Sequence, residues 1–259
     1  IGDNMAEKIR KIDFTAVVCS YKAHRAFKLC LHQLARYGFT KDNLIISENS
    51  PAYFNSNREL LNKYNIPFIN NPDANLTAAL NNALPQVKTK YALILDSDTF
   101  CVIDPIKVFE NVKKHNLQLY GDISNNRGGF KTHKRVNPWY CFVDVDFLKK
   151  NKILFNDNER IVASNSVSMV DRNHFMDGKN PNVVYYDAGS TMFEDVQTAG
   201  GVIGDIGEYL PYIHIGAASW QDMMKNPEFV AKNDNWIDLL YGKLFFDEKF
   251  IATMGENHK

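Results

Sequence analysis

The stretch Tyr91-Ala92-Leu93-Ile94-Leu95-Asp96-Ser97-Asp98-Thr99-Phe100 decides the fold. Its apolar run ends abruptly in two carboxylates one residue apart. An apolar run of this length, bounded by polar residues, reads as a buried strand of a parallel sheet. Ligands of open α/β sheets bind at the carboxyl ends of the strands. This strand would therefore deliver Asp96 and Asp98 to the place where a site forms. Two carboxylates at i and i+2 can approach one hard cation, and their oxygens suit Mg²⁺ or Mn²⁺ rather than Zn²⁺. The same Asp-x-Asp also reads as a solvated turn, so the surrounding chain has to decide.

Upstream, residues 13–21, 44–47 and 67–70 read as short strands. Residues 22–37, 55–64 and 76–84 between them have helical character, with Gly38 and Pro85 as stops. Strands alternating with helices imply right-handed crossovers and a mostly parallel central sheet flanked by helices, a nucleotide-binding type of architecture. It is not the dinucleotide type, because no Gly-x-Gly-x-x-Gly follows the first strand, and no Walker phosphate loop is present. The glycine-rich 200–207 reads as a loop.

Downstream, Asp104 and Pro105 open a helix, and 117–123 reads as a strand. The basic stretch 125–135, carrying Arg127, Lys131, His133, Lys134 and Arg135, reads as a solvated flexible loop, with a lid over a diphosphate as the functional alternative. Residues 138–146 are strand-like and aromatic, and a short helix begins at Phe147. A strand at 183–186 leads into Asp187-Ala188-Gly189-Ser190 and a further helix. His214 sits on a short strand or turn at 212–216, and two aromatic helical patterns follow from Asn226. The simplest division is an N-terminal extension (1–12), one domain (13–222, with halves 13–104 and 105–222) and a C-terminal helical appendage (223–259).

Apolar residues make up 45% of the 259 and charged residues 23%, enough to bury a sizeable core. A formal net charge of +0 gives no global electrostatic case for a nucleic-acid partner. No apolar run reaches the roughly 18 residues of a membrane span. Cys19, Cys30, Cys101 and Cys141 form no zinc-ligand spacing and read as buried reduced thiols, which fits a cytoplasmic chain.

In this order the residues resemble the GT-A glycosyltransferases, and among them the large inverting group often called family 2. Val17-Val18-Cys19-Ser20-Tyr21-Lys22 is similar to that group's opening strand and its Thr/Ser-Tyr-Asn end. Ile45-Ile46-Ser47-Glu48-Asn49-Ser50 resembles the strand ending in Asp-Asp/Asn-x-Ser, with Glu48 for the usual Asp. Residues 75–84 resemble the Ser-Ala-Ala-Arg-Asn helix, with Leu80 where Arg is common. Leu93-Ile94-Leu95-Asp96-Ser97-Asp98 is similar to the metal-binding Asp-x-Asp.

The resemblance implies a metal-dependent transfer of a sugar from a UDP-, GDP- or dTDP-type donor to a carbohydrate hydroxyl, with inversion. Asp98 is then the direct ligand of Mn²⁺ or Mg²⁺, Asp96 a ligand through water or a ribose contact, Ser97 between them a donor-binding residue, and His214 the late metal ligand. His214 also reads as a lone histidine with a satisfied hydrogen bond. Ser20, Tyr21 and Glu48 would meet the nucleoside, as would Asp73 and Asn75 before the third helix; capping is the plainer role for Ser20, Glu48, Asp73 and Asn75. Asp187 is the first candidate for the general base, with Glu194 and Asp195 the rival pair and a solvated helix face their plainer reading. Trp139, Tyr140 and Trp220 are candidates for stacking on an acceptor sugar, with core packing the better reading of Tyr140. A homodimer and peripheral membrane contact stay open. A sugar-nucleotide pyrophosphorylase and a non-catalytic carbohydrate-binding homologue are the alternatives.

Overall fold

The structure, a computed structural model, describes residues 11–127, 130–164, 184–208, 210–216 and 227–256. Strands β1 (Phe14–Ser20), β2 (Leu44–Glu48), β3 (Phe68–Asn70) and β4 (Tyr91–Asp96) form where the apolar runs place them. They pair in parallel in the spatial order β3-β2-β1-β4. Parallel neighbours need crossovers, supplied by helices α1 (His24–Arg36), α2 (Ser56–Lys63) and α3 (Leu76–Ala83). Gly38, at φ +87, takes the left-handed position just past α1. Because β2 and β3 lie on one side of β1 and β4 on the other, the sheet has a topological switch point between β1 and β4, which is where such sheets bind ligands.

After β4 comes β5 (Thr99–Cys101), then α4 (Pro105–Lys114), capped by Asp104 with Pro105 in its first turn. Then follow β6 (Leu119–Arg127), β7 (Phe130–Asp144), α5 (Val145–Asn151), α6 (Asn158–Ser164), α7 (Ser190–Thr198), β8 (Ile203–Asp205) and β9 (Tyr212–His214). The main sheet has seven strands, in the order β3-β2-β1-β4-β7-β6-β8. Only β7 among them runs against its neighbours β4 and β6. Strands β5 and β9 form a separate antiparallel pair.

Three expectations from the sequence change here. The described residues of the basic stretch 125–135 are not loop: 125–127 belong to β6 and 130–135 to β7, and the two strands pair antiparallel. Lys131 and Lys134 point to solvent while Thr132, Arg135 and Val136 are buried, so the basic residues obscured a strand pattern. The glycine-rich stretch contributes β8, the edge strand beside β6. Gly204 packs closely there: a Cβ would stand 2.7 Å from a Leu117 methyl carbon, which would have to shift. The strand expected at 183–186 reduces, within the described residues, to one bridge between Tyr185 and Thr132.

The period of two along the strands divides the core into two layers. Ala16, Val18, Leu93 and Leu95 face α1 and the large aromatic cluster of Phe14, Phe109 and Phe142. Val17, Ala92 and Ile94 face the other way, onto Ala79 and Leu80 of α3 and Met192 and Val196 of α7. Helices α8 (Pro227–Lys243) and α9 (Lys249–Met254) add Ile237, Leu240, Ile251 and Met254 to the first layer. The four cysteines are free and buried. No helix among the described residues is long and apolar enough to cross a membrane.

Two polar anchors hold the C-terminal helices. Glu248 accepts from Lys28 and Lys63, each at 2.8 Å, and from the Tyr64 hydroxyl. These bonds push its carboxyl down to about 2. His32 of α1, fully buried between Phe246 and Phe250, accepts the Asp247 N–H through Nε2 at 3.2 Å. Desolvation first, and then the Arg36 charge, lower its pKa from 6.5 to about 4. The unfolded chain thus binds this proton more tightly than the folded one. The stability due to neutral His32 is complete above pH 6.5 and drains away as the pH falls toward 4. Thermal unfolding should show about 2–3 kcal/mol of this loss by about pH 4.5. His32→Leu should flatten the acid limb of the curve; an unchanged limb would contradict the assignment.

Candidate active site

Strand β4 carries Asp96 to the switch point, where it pairs with Cys19 of β1. The chain turns at once, and the Ser97 N–H donates to the Cys19 carbonyl at 3.1 Å. Thr99 then starts β5 and pairs with His214 of β9, while the Ile215 N–H donates to the Asp98 carbonyl at 3.1 Å. Residues more than a hundred positions apart are thereby fixed by backbone bonds alone. His214 Nε2 stands 3.3 Å from Asp98 Oδ1. One ligand atom each from Asp96, Asp98 and His214 lies within 4.8 Å of the others. Asp98 is 3% exposed and Asp96 half-buried. Two carboxylates and an imidazole on one point, one carboxylate nearly out of water, fit a divalent cation of the Mn²⁺ or Mg²⁺ kind, whose charge offsets their repulsion. The solvated-turn reading of Asp-Ser-Asp does not describe this arrangement.

The ends of β1 and β2 and the start of α3 form one continuous rim. Three backbone bonds close it: Asn49 N–H to Ser20 O at 2.8 Å, Asn71 N–H to Glu48 O at 2.9 Å, and Asp73 N–H to Asn49 O at 3.1 Å. Ser20 is fully buried, its hydroxyl accepting from Asn57 Nδ2 at 2.9 Å. Glu48 is also fully buried and accepts the Ser50 N–H at 3.0 Å, with Arg58 Nη2 at 3.7 Å. Its Oε2 has no hydrogen-bond partner among the described residues. Tyr21 is partly exposed and Lys22 Nζ lies 5.7 Å from its ring and 5.7 Å from that of Tyr53. Asp73 and Asn75 are exposed at the mouth of α3, with Asn75 capping it through the Ala78 N–H at 2.9 Å. Ser20, Asn75 and Glu48 thus have definite structural work, and Tyr21 and Asp73 are the members of the set that face outward.

Asp187 precedes α7. Its Oδ2 is 3.0 Å from Arg135 Nη1, and its Oδ1 accepts the Ala188 N–H at 2.9 Å. It does not cap α7, whose N-cap is Gly189 at φ +85. A Cβ on Gly189 would stand 2.2 Å from the Val136 carbonyl, so glycine is what lets this turn lie against β7. Arg135, placed in a solvated loop by sequence reasoning, is 2% exposed. Glu194 and Asp195 are not a solvated helix face either. Glu194 accepts from Tyr186 at 2.9 Å and lies 2.9 Å from His133 Nδ1; Asp195 accepts from Arg160 at 2.8 Å.

Trp139, a candidate sugar platform, instead lies flat on His214, with ring centroids 4.7 Å apart. Tyr140 is core, and Trp220 lies outside the described residues. Sequence reading missed Arg135 and the Trp139–His214 pair. The burial pattern from Lys131 to Val136 follows no strict period of two, so the sequence carried no clear signal for the first. Nothing short of the β5–β9 pairing shows the second.

No family model matches the chain, and no curated protein matches it in sequence. Solved structures do. The chain is similar to S. aureus TarS 1–349, with TM-score 0.51 and 14% identity over 94% of this chain and 69% of that one. A second structure of TarS 1–349, in complex with UDP-GlcNAc, gives TM-score 0.51 and 13% identity over 94% of this chain and 70% of that one. It is also similar to the glycosyltransferase GlyE of Streptococcus pneumoniae TIGR4, with TM-score 0.50 and 13% identity over 94% of this chain and 63% of that one. Against the longer TarS chain it spans 31% of the length. At these identities the likeness establishes the fold, and the fold is GT-A.

Proposed function

We propose that this protein is a metal-dependent glycosyltransferase that moves a sugar from a nucleoside diphosphate donor to a hydroxyl of a carbohydrate acceptor, with inversion. The observation that carries the proposal is the convergence of Asp96, Asp98 and His214 at the switch point of a GT-A sheet. The neighbour in complex with UDP-GlcNAc supports the donor class.

The chemistry divides among the residues as follows. Asp98 and His214 would hold the cation, with Asp96 as a third ligand or a ribose contact. An imidazole among the donors favours Mn²⁺ over Mg²⁺. The bound ion supplies Lewis-acid stabilisation of the departing diphosphate. The rim formed by Ser20, Glu48 and the α3 mouth seats the nucleoside, with Tyr21 offering a stacking face and Asp73 an acceptor. Asp187, oriented by Arg135, takes the proton of the attacking hydroxyl. The new bond forms from that oxygen to the anomeric carbon as the bond to the diphosphate oxygen breaks. Attack from the side opposite the leaving group inverts the centre.

The test is a thermal-shift panel of UDP-, GDP-, dTDP- and CMP-sugars with and without Mn²⁺. One nucleotide should raise the melting temperature, and only with the metal, because a ligand that binds the folded state stabilises it with the logarithm of its saturation. No shift with any nucleotide sugar at millimolar concentration, or pyrophosphate release from a nucleoside triphosphate and a sugar phosphate, would overturn the assignment.

A further inference from the structure

Strand β7 is irregular where it passes the candidate site. Between the pairs Gly121↔Cys141 and Ile123↔Val136, β6 advances two residues and β7 five. Extra residues in one strand form a bulge, which redirects side chains. The surplus here contains Asn137, Pro138, Trp139 and Tyr140.

The redirected rings meet β9. Tyr212 and His214 are two apart on that strand and so share a face. Tyr140 stacks on Tyr212 at 4.9 Å and 15°, and Trp139 stacks on His214 at 4.7 Å and 14°. Two consecutive rings of the bulge thus lie parallel to two same-face rings of β9. Hydrogen bonds lock the arrangement. Trp139 Nε1 donates to the Tyr212 hydroxyl at 3.0 Å, which in turn donates to Asp122 Oδ2 at 3.4 Å. Asn137 Nδ2 donates to the same Asp122 oxygen at 2.6 Å. Arg135, the partner of Asp187, places its guanidinium carbon 5.5 Å from the Trp139 ring.

We propose that Trp139 is a positioning residue for the cation site. Its indole, fixed by Tyr212 and Asp122, is a flat wall that restricts rotation of the His214 imidazole and keeps Nε2 aimed at Asp98. An imidazole free to rotate would lose that orientation before the ion arrives; hydrogen-bonded outer partners that orient a ligand are worth roughly 10- to 100-fold in metal affinity, and a stacking wall should act toward the low end of that range. The inference rests on the reading of Asp96, Asp98 and His214 as cation ligands. It adds that β7, through Arg135 and through Trp139 of its bulge, holds the proton-accepting Asp187 and the metal ligand in one frame.

The test reads Mn²⁺ binding by electron paramagnetic resonance, with no donor, acceptor or turnover. Trp139→Leu keeps an apolar side chain but removes the flat ring, and should raise the Mn²⁺ dissociation constant about 10-fold. Trp139→Phe keeps a stacking face but loses the N–H, and Tyr212→Phe removes its acceptor. Each should raise the constant about threefold, and the double variant no further, because both delete the same bond. A folded Trp139→Leu with wild-type affinity overturns the proposal. If that variant does not fold, wild-type affinity in both phenylalanine variants overturns it. Asp98→Ala serves as the control. If it binds Mn²⁺ as tightly as the wild type, the cation reading itself has failed; if it does not and the Trp139 variants do, the wall alone has failed.

Discussion

Asp98→Ala is expected to lower sugar transfer by about three orders of magnitude and to remove its dependence on Mn²⁺. Lewis-acid stabilisation of a departing diphosphate is worth several kcal/mol, and each 1.4 kcal/mol or so is tenfold in rate. Asp98 is the ligand whose loss should cost most. It is 3% exposed, sits 3.3 Å from His214 Nε2, and is fixed on both sides by backbone bonds to β1 and β9. Removing one partner of the nearly buried Asp98–His214 pair costs stability, so circular dichroism and a melting temperature above that of the assay, both in the absence of metal, are the control for folding. Transfer that continues at the wild-type rate in both Asp98→Ala and excess EDTA would exclude a metal-dependent reaction at this site.

The second large effect is at Asp187. Asp187→Asn should reduce transfer by roughly 10²- to 10⁴-fold, the usual contribution of a general base, while nucleotide binding stays within about twofold. Asparagine keeps the size and the acceptor for the Ala188 N–H but cannot take a proton. Glu194→Gln should cost less than about tenfold, because Glu194 is already engaged by Tyr186 and His133. A large loss in Glu194→Gln with little change in Asp187→Asn would reverse the assignment. Donor hydrolysis can replace transfer as the readout, since water needs the same base.

These two residues also show what the sequence carries. Asp98 was legible because its strand is: a buried parallel strand is a near-continuous apolar run, and the polar residues that end it mark the ligand-binding edge. The same holds for the ends of β1 and β2. The turn that carries Asp187 was legible from Asp187-Ala188-Gly189-Ser190 before a helix, and the structure adds why glycine stands there: Gly189 has φ +85 and its Cβ position meets the Val136 carbonyl. His214 could be suspected but not placed, since its neighbour Asp98 is met only through a two-stranded sheet whose halves lie over a hundred residues apart. Arg135 was misplaced for a physical reason. A basic strand with exposed lysines looks like a charged loop until the burial of Thr132, Arg135 and Val136 is known. Glu194 and Asp195 failed in the same way, because pairing with His133, Tyr186 and Arg160 is a tertiary fact that helix periodicity does not contain.

The central claim is that Asp96, Asp98 and His214 hold a cation on a nucleoside diphosphate. Isothermal titration of the nucleoside diphosphate selected by the thermal-shift panel, with Mn²⁺ and with EDTA, tests it most directly. The account predicts at least about tenfold tighter binding with Mn²⁺ in the wild type, equivalent to ~1.4 kcal/mol, and no such gain in His214→Ala or Asp98→Ala. Equal affinity with Mn²⁺ and with EDTA in the wild type, or a gain that survives both substitutions, would contradict it.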